Sequence, residues 1–108
     1  MTLDGVEMLK HIVIWNLKDE AEGADKATNA LKAKALLDAC KNLVPGQHAF
    51  EVATAAAGLG CTADLMLYSE FDDEAALKAY QTHPTHVALK PFLAAIVSGR
   101  QCMDYWAD

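Results

Sequence analysis

The residues of this chain best suited to chemistry are Tyr80, His83 and His86, held in the segment Ala79-Tyr80-Gln81-Thr82-His83-Pro84-Thr85-His86, with His11 far upstream. A neutral imidazole is a general base at pH 7, and a phenol with an ordinary pKa of about 10 is a proton donor there. Pro84 sets the geometry, because proline suits the first helical position, where no N–H is needed and φ is already helical. His86 then falls in the first turn, where the helix dipole and free backbone N–H groups disfavour an imidazolium. It is expected to stay neutral, as a base must. Tyr80, closing the preceding helix, is expected to bring its hydroxyl near His86. There it would hydrogen-bond a carbonyl whose oxygen gains charge as a neighbouring C–H is removed. His11 is expected to orient this pair or line their pocket, with Val13, Trp15, Leu67 and His83 as further pocket residues. A structural reading stands beside this one: His83-Pro84-Thr85-His86 can simply cap a helix, and Tyr80 can be core.

Other clusters carry less. His83 and His86 are three apart, but no motif supplies the third protein ligand that a catalytic zinc needs. No metal and no cofactor is expected. Glu70, Asp72, Asp73 and Glu74 read as a strand end and a helix cap, where carboxylates suit the positive end of the dipole. Cys40 reads as a small core residue and Cys61 as a loop thiol without a basic neighbour to activate it.

Several elements must position these residues. Met8 to Leu17 reads as a strand with Leu9, His11, Val13, Trp15 and Leu17 on one face, and Met8, Lys10, Ile12, Ile14 and Asn16 on the other. Both faces are largely apolar, so both should be covered. Lys18 to Asp25 reads as a charged loop. A helical stripe of Ala27, Ala30, Leu31, Leu37, Cys40, Leu43 and Val44 predicts a helix over about 24–43, ended by Pro45-Gly46. A strand follows from His48 to about Ala55, then a small-residue turn to Thr62. A third strand is predicted over Ala63 to Phe71. Asp72 or Asp73 caps a helix reaching about Thr82, and Pro84 opens another, punctuated at Pro91. Gly99 turns the chain into a last strand, Arg100 to about Trp106.

The order β-α-β-β-α-β is the split plan of ferredoxin-like α+β folds, with both helical layers on one face of an antiparallel sheet. Ile12 and Ile14 would leave the other face apolar and wet, so two sheets are expected to pair in a symmetric homodimer. Residues 1–7 read as a short extension and 8–108 as one domain. The net charge is −6, and the nine Lys and Arg form no stripe. That disfavours nucleic acid and anionic membranes as partners. Three scattered cysteines and a start without an apolar core point to the cytoplasm.

Lys10-His11-Ile12-Val13-Ile14, Leu43-Val44-Pro45-Gly46, Leu67-Tyr68-Ser69-Glu70-Phe71-Asp72, the Tyr80-to-His86 segment and Met103-Asp104-Tyr105 together resemble the stress-responsive A/B barrel (Dabb) family. The resemblance implies ferredoxin-like subunits that pair as a dimeric α/β barrel. It assigns no single job, since many members are known only as stress-induced proteins. A plant polyketide cyclase of the family implies one alternative, a cofactor-free enzyme in which His86 is the base, Tyr80 the carbonyl donor and His11 a pocket residue. That cyclase has a further histidine where this chain has Asp64-Leu65. Fold analogy adds a second alternative, a quinol or heme monooxygenase. The leading expectation is a homodimer of unassigned activity that binds a small apolar or aromatic ligand.

Overall fold

Four long strands form the framework of the computed structural model, which describes residues 7–108. The extension expected at residues 1–7 lies, but for Glu7, outside the described residues. In chain order the elements are β1 (Met8–Leu17), β2 (Glu20–Ala21), β3 (Ala24–Asp25), α1 (Lys26–Asp38), β4 (Gln47–Thr54), β5 (Leu65–Phe71), α2 (Glu74–Thr82), α3 (Pro84–Ile96) and β6 (Val97–Ala107). The main sheet runs β4-β5-β1-β6 with every neighbour antiparallel. This is the ferredoxin-like α+β order expected from the residue pattern.

Alternation along β1 and β5 decides where the core sits. Leu9, Val13, Trp15 and Leu17 of β1 and Leu65, Leu67 and Phe71 of β5 are buried. They face Ala30, Ala33 and Leu37 of α1, Ala76, Leu77 and Tyr80 of α2, and Leu89 and Ile96 of α3, all likewise buried. The opposite face carries Ile12 beside Tyr68 and Met103, and Ile14 beside Met66. Ile14 and Met103 are exposed there.

Several boundaries differ from the expectation, each for a local reason. The charged loop at 18–25 holds a two-residue hairpin, β2–β3. Its corner, Glu22-Gly23, has φ of 51° and 75°, positive as tight hairpin turns require. Helix α1 begins behind Asp25, whose carboxylate accepts from the Thr28 N–H at 2.8 Å. It ends at Asp38, well before Pro45-Gly46. Beyond it the Gln47 side chain replaces helical bonds, donating to the Cys40 carbonyl at 2.7 Å and accepting from the Leu43 N–H at 2.7 Å. Leu31, assigned to the apolar stripe, is exposed, and Asn29 is buried instead. Its amide is satisfied by the Ala21 carbonyl at 2.9 Å. Helix α3 runs through Pro91 unbroken. Strand β6 starts directly at Val97, and Gly99 pairs with Asn16 inside the strand next to a register shift. Among the described residues, no helix is long and apolar enough to cross a membrane.

Candidate functional site

Between the sheet and the helices lies a cleft of about 910 Å³. Its floor is the inner face of the sheet: His11, Val13 and Trp15 of β1 and Leu67 of β5. Its walls are Leu37 of α1, Leu77 and Gln81 of α2, and His86, Leu89 and Leu93 of α3. Glu74, Lys78, Lys90 and Arg100 also line it. An apolar interior with a few convergent polar groups, at this volume, is the ordinary form of a small-molecule site.

His86 owes its position to its two neighbouring turns. His83 closes α2 and opens α3 from an extended conformation, and Pro84 is the first residue of α3. The break folds α3 back so that His86 Nδ1 lies 3.0 Å from the Gln81 carbonyl oxygen in the last turn of α2. A carbonyl only accepts, so Nδ1 carries the proton and Nε2 keeps its lone pair. The imidazole pKa is lowered, first by burial, with Lys90, His11 and Arg100 adding to the effect against the Gln81 hydrogen bond. His86 is therefore a neutral ring with a free basic nitrogen at pH 7. The cause that dominates is burial rather than the helix dipole.

His11 is set by the sheet. It is buried at 4% exposure and stands opposite Asp104 in the β1–β6 pairing. Nδ1 lies 2.5 Å from an Asp104 carboxylate oxygen. The carboxylate accepts the Nδ1 proton, which fixes the ring and leaves Nε2 as its uncommitted nitrogen.

The structure thus brings His11, Val13, Trp15, Leu67 and His86 to one cleft. Tyr80 and His83, expected in the same site, do not line the cleft. Tyr80 is fully buried, its ring 4.7 Å from the His86 ring centroid and 5.2 Å from that of Phe71. It supports His86 ring to ring, but it is not part of the cleft wall. Its hydroxyl has no hydrogen-bond partner among the described residues. Burial, then Cys40, pushes its pKa well up. The helix break that aims His86 inward buries the tyrosine behind it. His83 caps α3, its Nδ1 accepting from the Thr85 N–H at 3.1 Å. The Asp64 carboxylate serves the strand end, accepting from the Leu17 N–H at 2.8 Å. No cluster of three or more metal-ligating side chains occurs among the described residues.

Residue types alone do not single out Asp104, the Gln81 carbonyl or the cations of the lining. Asp104 was accessible only through the strand register, and the Gln81 contact only through the angle between α2 and α3.

The stress responsive A/B barrel domain (Dabb) family matches residues 9–107. This chain belongs to the Dabb family. A dimeric protein of unknown function with a ferredoxin-like fold from Bacteroides fragilis is 35% identical, with a TM-score of 0.77 over 91% of this chain and 94% of that one. A Dabb family protein from Mesorhizobium loti is 24% identical, with a TM-score of 0.63 over 93% of this chain and 96% of its own. A putative antibiotic biosynthesis monooxygenase from Nitrosomonas europaea is 17% identical, with a TM-score of 0.71 over 91% and 96%. The last two likenesses are of fold alone. No curated protein matches the sequence. Within the Dabb fold, the His86 and His11 positions of this chain are those that its β1–β6 pairing and its α2–α3 break turn toward the cleft.

Proposed function

We propose that this Dabb chain is a homodimer whose subunits each bind a small, largely apolar ligand in the cleft, and that His86 exchanges a proton with it. The observation that carries this reading is His86 itself: an imidazole with its Nδ1 proton committed to Gln81, a lowered pKa and an apolar cavity beside it. Such a group removes a proton from carbon next to a carbonyl. The C–H bond breaks and its electron pair forms the enolate carbon–carbon double bond, the carbonyl π pair moves to oxygen, and the proton moves to Nε2. Reversal returns a proton to the same carbon, so no cofactor is consumed. Of the three residues expected for a cyclase-like reaction, His86 and His11 keep their place in this scheme. Tyr80 acts through His86 by packing.

The test uses ethyl benzoylacetate, an aryl β-keto ester, in heavy water. The wild type is expected to accelerate deuterium uptake at its α-carbon over buffer, and His86→Gln to lose the acceleration while still binding. Binding without acceleration in the wild type would reduce the site to a ligand carrier. The absence of both binding and acceleration would overturn the reading.

Dimerisation is supported by the outer apolar face, where Ile14 and Met103 are exposed and Ile12 and Met66 half-buried, and by the dimeric state of the B. fragilis relative. A face of this kind is uncommon on a monomer. Light scattering at micromolar concentration should give twice the chain mass, and Ile14→Lys should shift it toward the monomer. A monomeric wild type would rule the dimer out.

A further inference from the structure

The chain has nine Lys and Arg. Six have partners: Lys10 pairs with Glu70, Lys26 with Asp19 and Asp64, Lys34 and Lys41 with Asp38. Lys18 donates to the Ala95 carbonyl, and Lys32 lies over the Phe92 ring. The other three, Lys78, Lys90 and Arg100, have no such partner among the described residues, and all three line the cleft. They come from α2, α3 and β6, so no single stretch of sequence accounts for their meeting. One carboxylate, Glu74, shares the lining with them. On a chain of net charge −6, this concentration of unneutralised cations around an apolar floor is the reverse of the overall balance.

We propose that the ligand of this cleft is an organic anion, with an aromatic or alkyl body on Val13, Trp15 and Leu67 and a carboxylate met by Arg100, Lys78 and Lys90. This rests on the reading of the cleft as a ligand site and adds the ligand's class to it. The three cations are exposed and the floor residues buried, so the charge lies at the mouth and the apolar surface inside. An amphipathic acid has the same arrangement. The guanidinium of Arg100 matches a carboxylate in two parallel hydrogen bonds, and the lysines act as point charges beside it. The positive field reaches inward, since Lys90 and Arg100 both act on His86. A cationic mouth also draws anions in and speeds their encounter at low salt.

The test is a matched pair, 4-hexylbenzoate and 4-hexylbenzamide, titrated calorimetrically into the full chain at pH 7.5. The benzoate is expected to bind at least about tenfold more tightly at about 50 mM salt, with the gap narrowing at about 500 mM as the mouth charges are screened. In the triple variant Lys78→Gln, Lys90→Gln, Arg100→Gln the gap should close, while the amide binds as before and so reports an intact cleft. Arg100→Gln alone, expected to close part of the gap, replaces the triple variant if that fails to fold. Equal binding of both probes by the wild type, or an undiminished gap in the variants, would overturn the anion assignment and leave an apolar ligand site standing. Binding of neither probe would remove the ligand site itself.

Discussion

His11 and Asp104 face each other across β1 and β6, with Nδ1 2.5 Å from the carboxylate. One partner is buried, and the side chain of the other is 43% exposed. The carboxylate selects one tautomer of the ring, and the sheet supplies the orientation. A group at the edge of the solvent thus controls a nitrogen inside the cleft.

Asp104→Ala should release that control. With no acceptor, the His11 N–H is buried without a partner, and a loss of about 1–2 kcal/mol of stability is expected, toward the low end for a charge-assisted bond because the carboxylate is partly solvated. Nitrogen-15 imidazole shifts should show His11 losing its fixed Nδ1–H tautomer while His86 keeps its own. A His11 spectrum unchanged by the substitution would mean that the pair does not set the tautomer.

Tyr80→Phe separates two roles for the same residue. A tyrosine that donates its hydroxyl in the reaction would lose activity on this change. Here the hydroxyl is buried without a partner among the described residues, so its removal should leave stability unchanged or raise it by up to about 1 kcal/mol. Ligand binding should also persist. Tyr80→Ala, by contrast, takes away the ring that packs on His86 and Phe71 and should cost about 3–5 kcal/mol in urea denaturation. A Phe variant that folds normally yet loses proton exchange would restore the tyrosine to the chemistry.

Why some of this was readable from residue types, and some not, follows from which interactions are local. Strand β1 is largely apolar on both faces, and Pro84 sits where a helix start suits it, so both stand out in the chain. The end of α1 does not, because Cys40, Leu43 and Val44 continue the apolar stripe past Asp38 and nothing in their types shows that the Gln47 amide takes over the Cys40 carbonyl. Asp104 is one charge in a mixed strand until the pairing with β1 is known. Lys78, Lys90 and Arg100 each look like an ordinary exposed residue. Their convergence depends on three elements separated in sequence, and so does the site.

The acid side of the stability profile should carry the mark of His86. Its folded pKa lies below the usual 6.5, so protons bind the unfolded chain more readily. The resulting stability is fully present above about pH 6.5 and is lost as pH falls from there through the folded pKa. Urea midpoints at pH 7.5 and 5.5 should therefore fall further apart for the wild type than for His86→Gln, which has nothing to titrate at this position. His11, Lys90 and Arg100 are present in both proteins, so the difference isolates this ring. Identical pH profiles would show that the ring is as easily protonated folded as unfolded.

Gly46 offers a test of how the α2 cap is built. Its φ is +84°, and a Cβ there would lie 3.0 Å from the Ala76 Cβ and 3.1 Å from Asp72 Oδ2. Its carbonyl also accepts from the Asp72 N–H at 2.8 Å. Gly58 has nearly the same φ, +85°, but nothing within 4 Å of a Cβ. Alanine at either position pays the left-handed backbone penalty of about 1–2 kcal/mol. Only at Gly46 must the methyl also displace the first turn of α2, which should roughly double the loss. Because α2 carries Gln81, the contact that fixes His86, Gly46→Ala should also weaken ligand binding in the cleft, and Gly58→Ala should not. Denaturation of both variants at one protein concentration gives the comparison, and equal losses would show that the α2 turn yields freely to the added methyl.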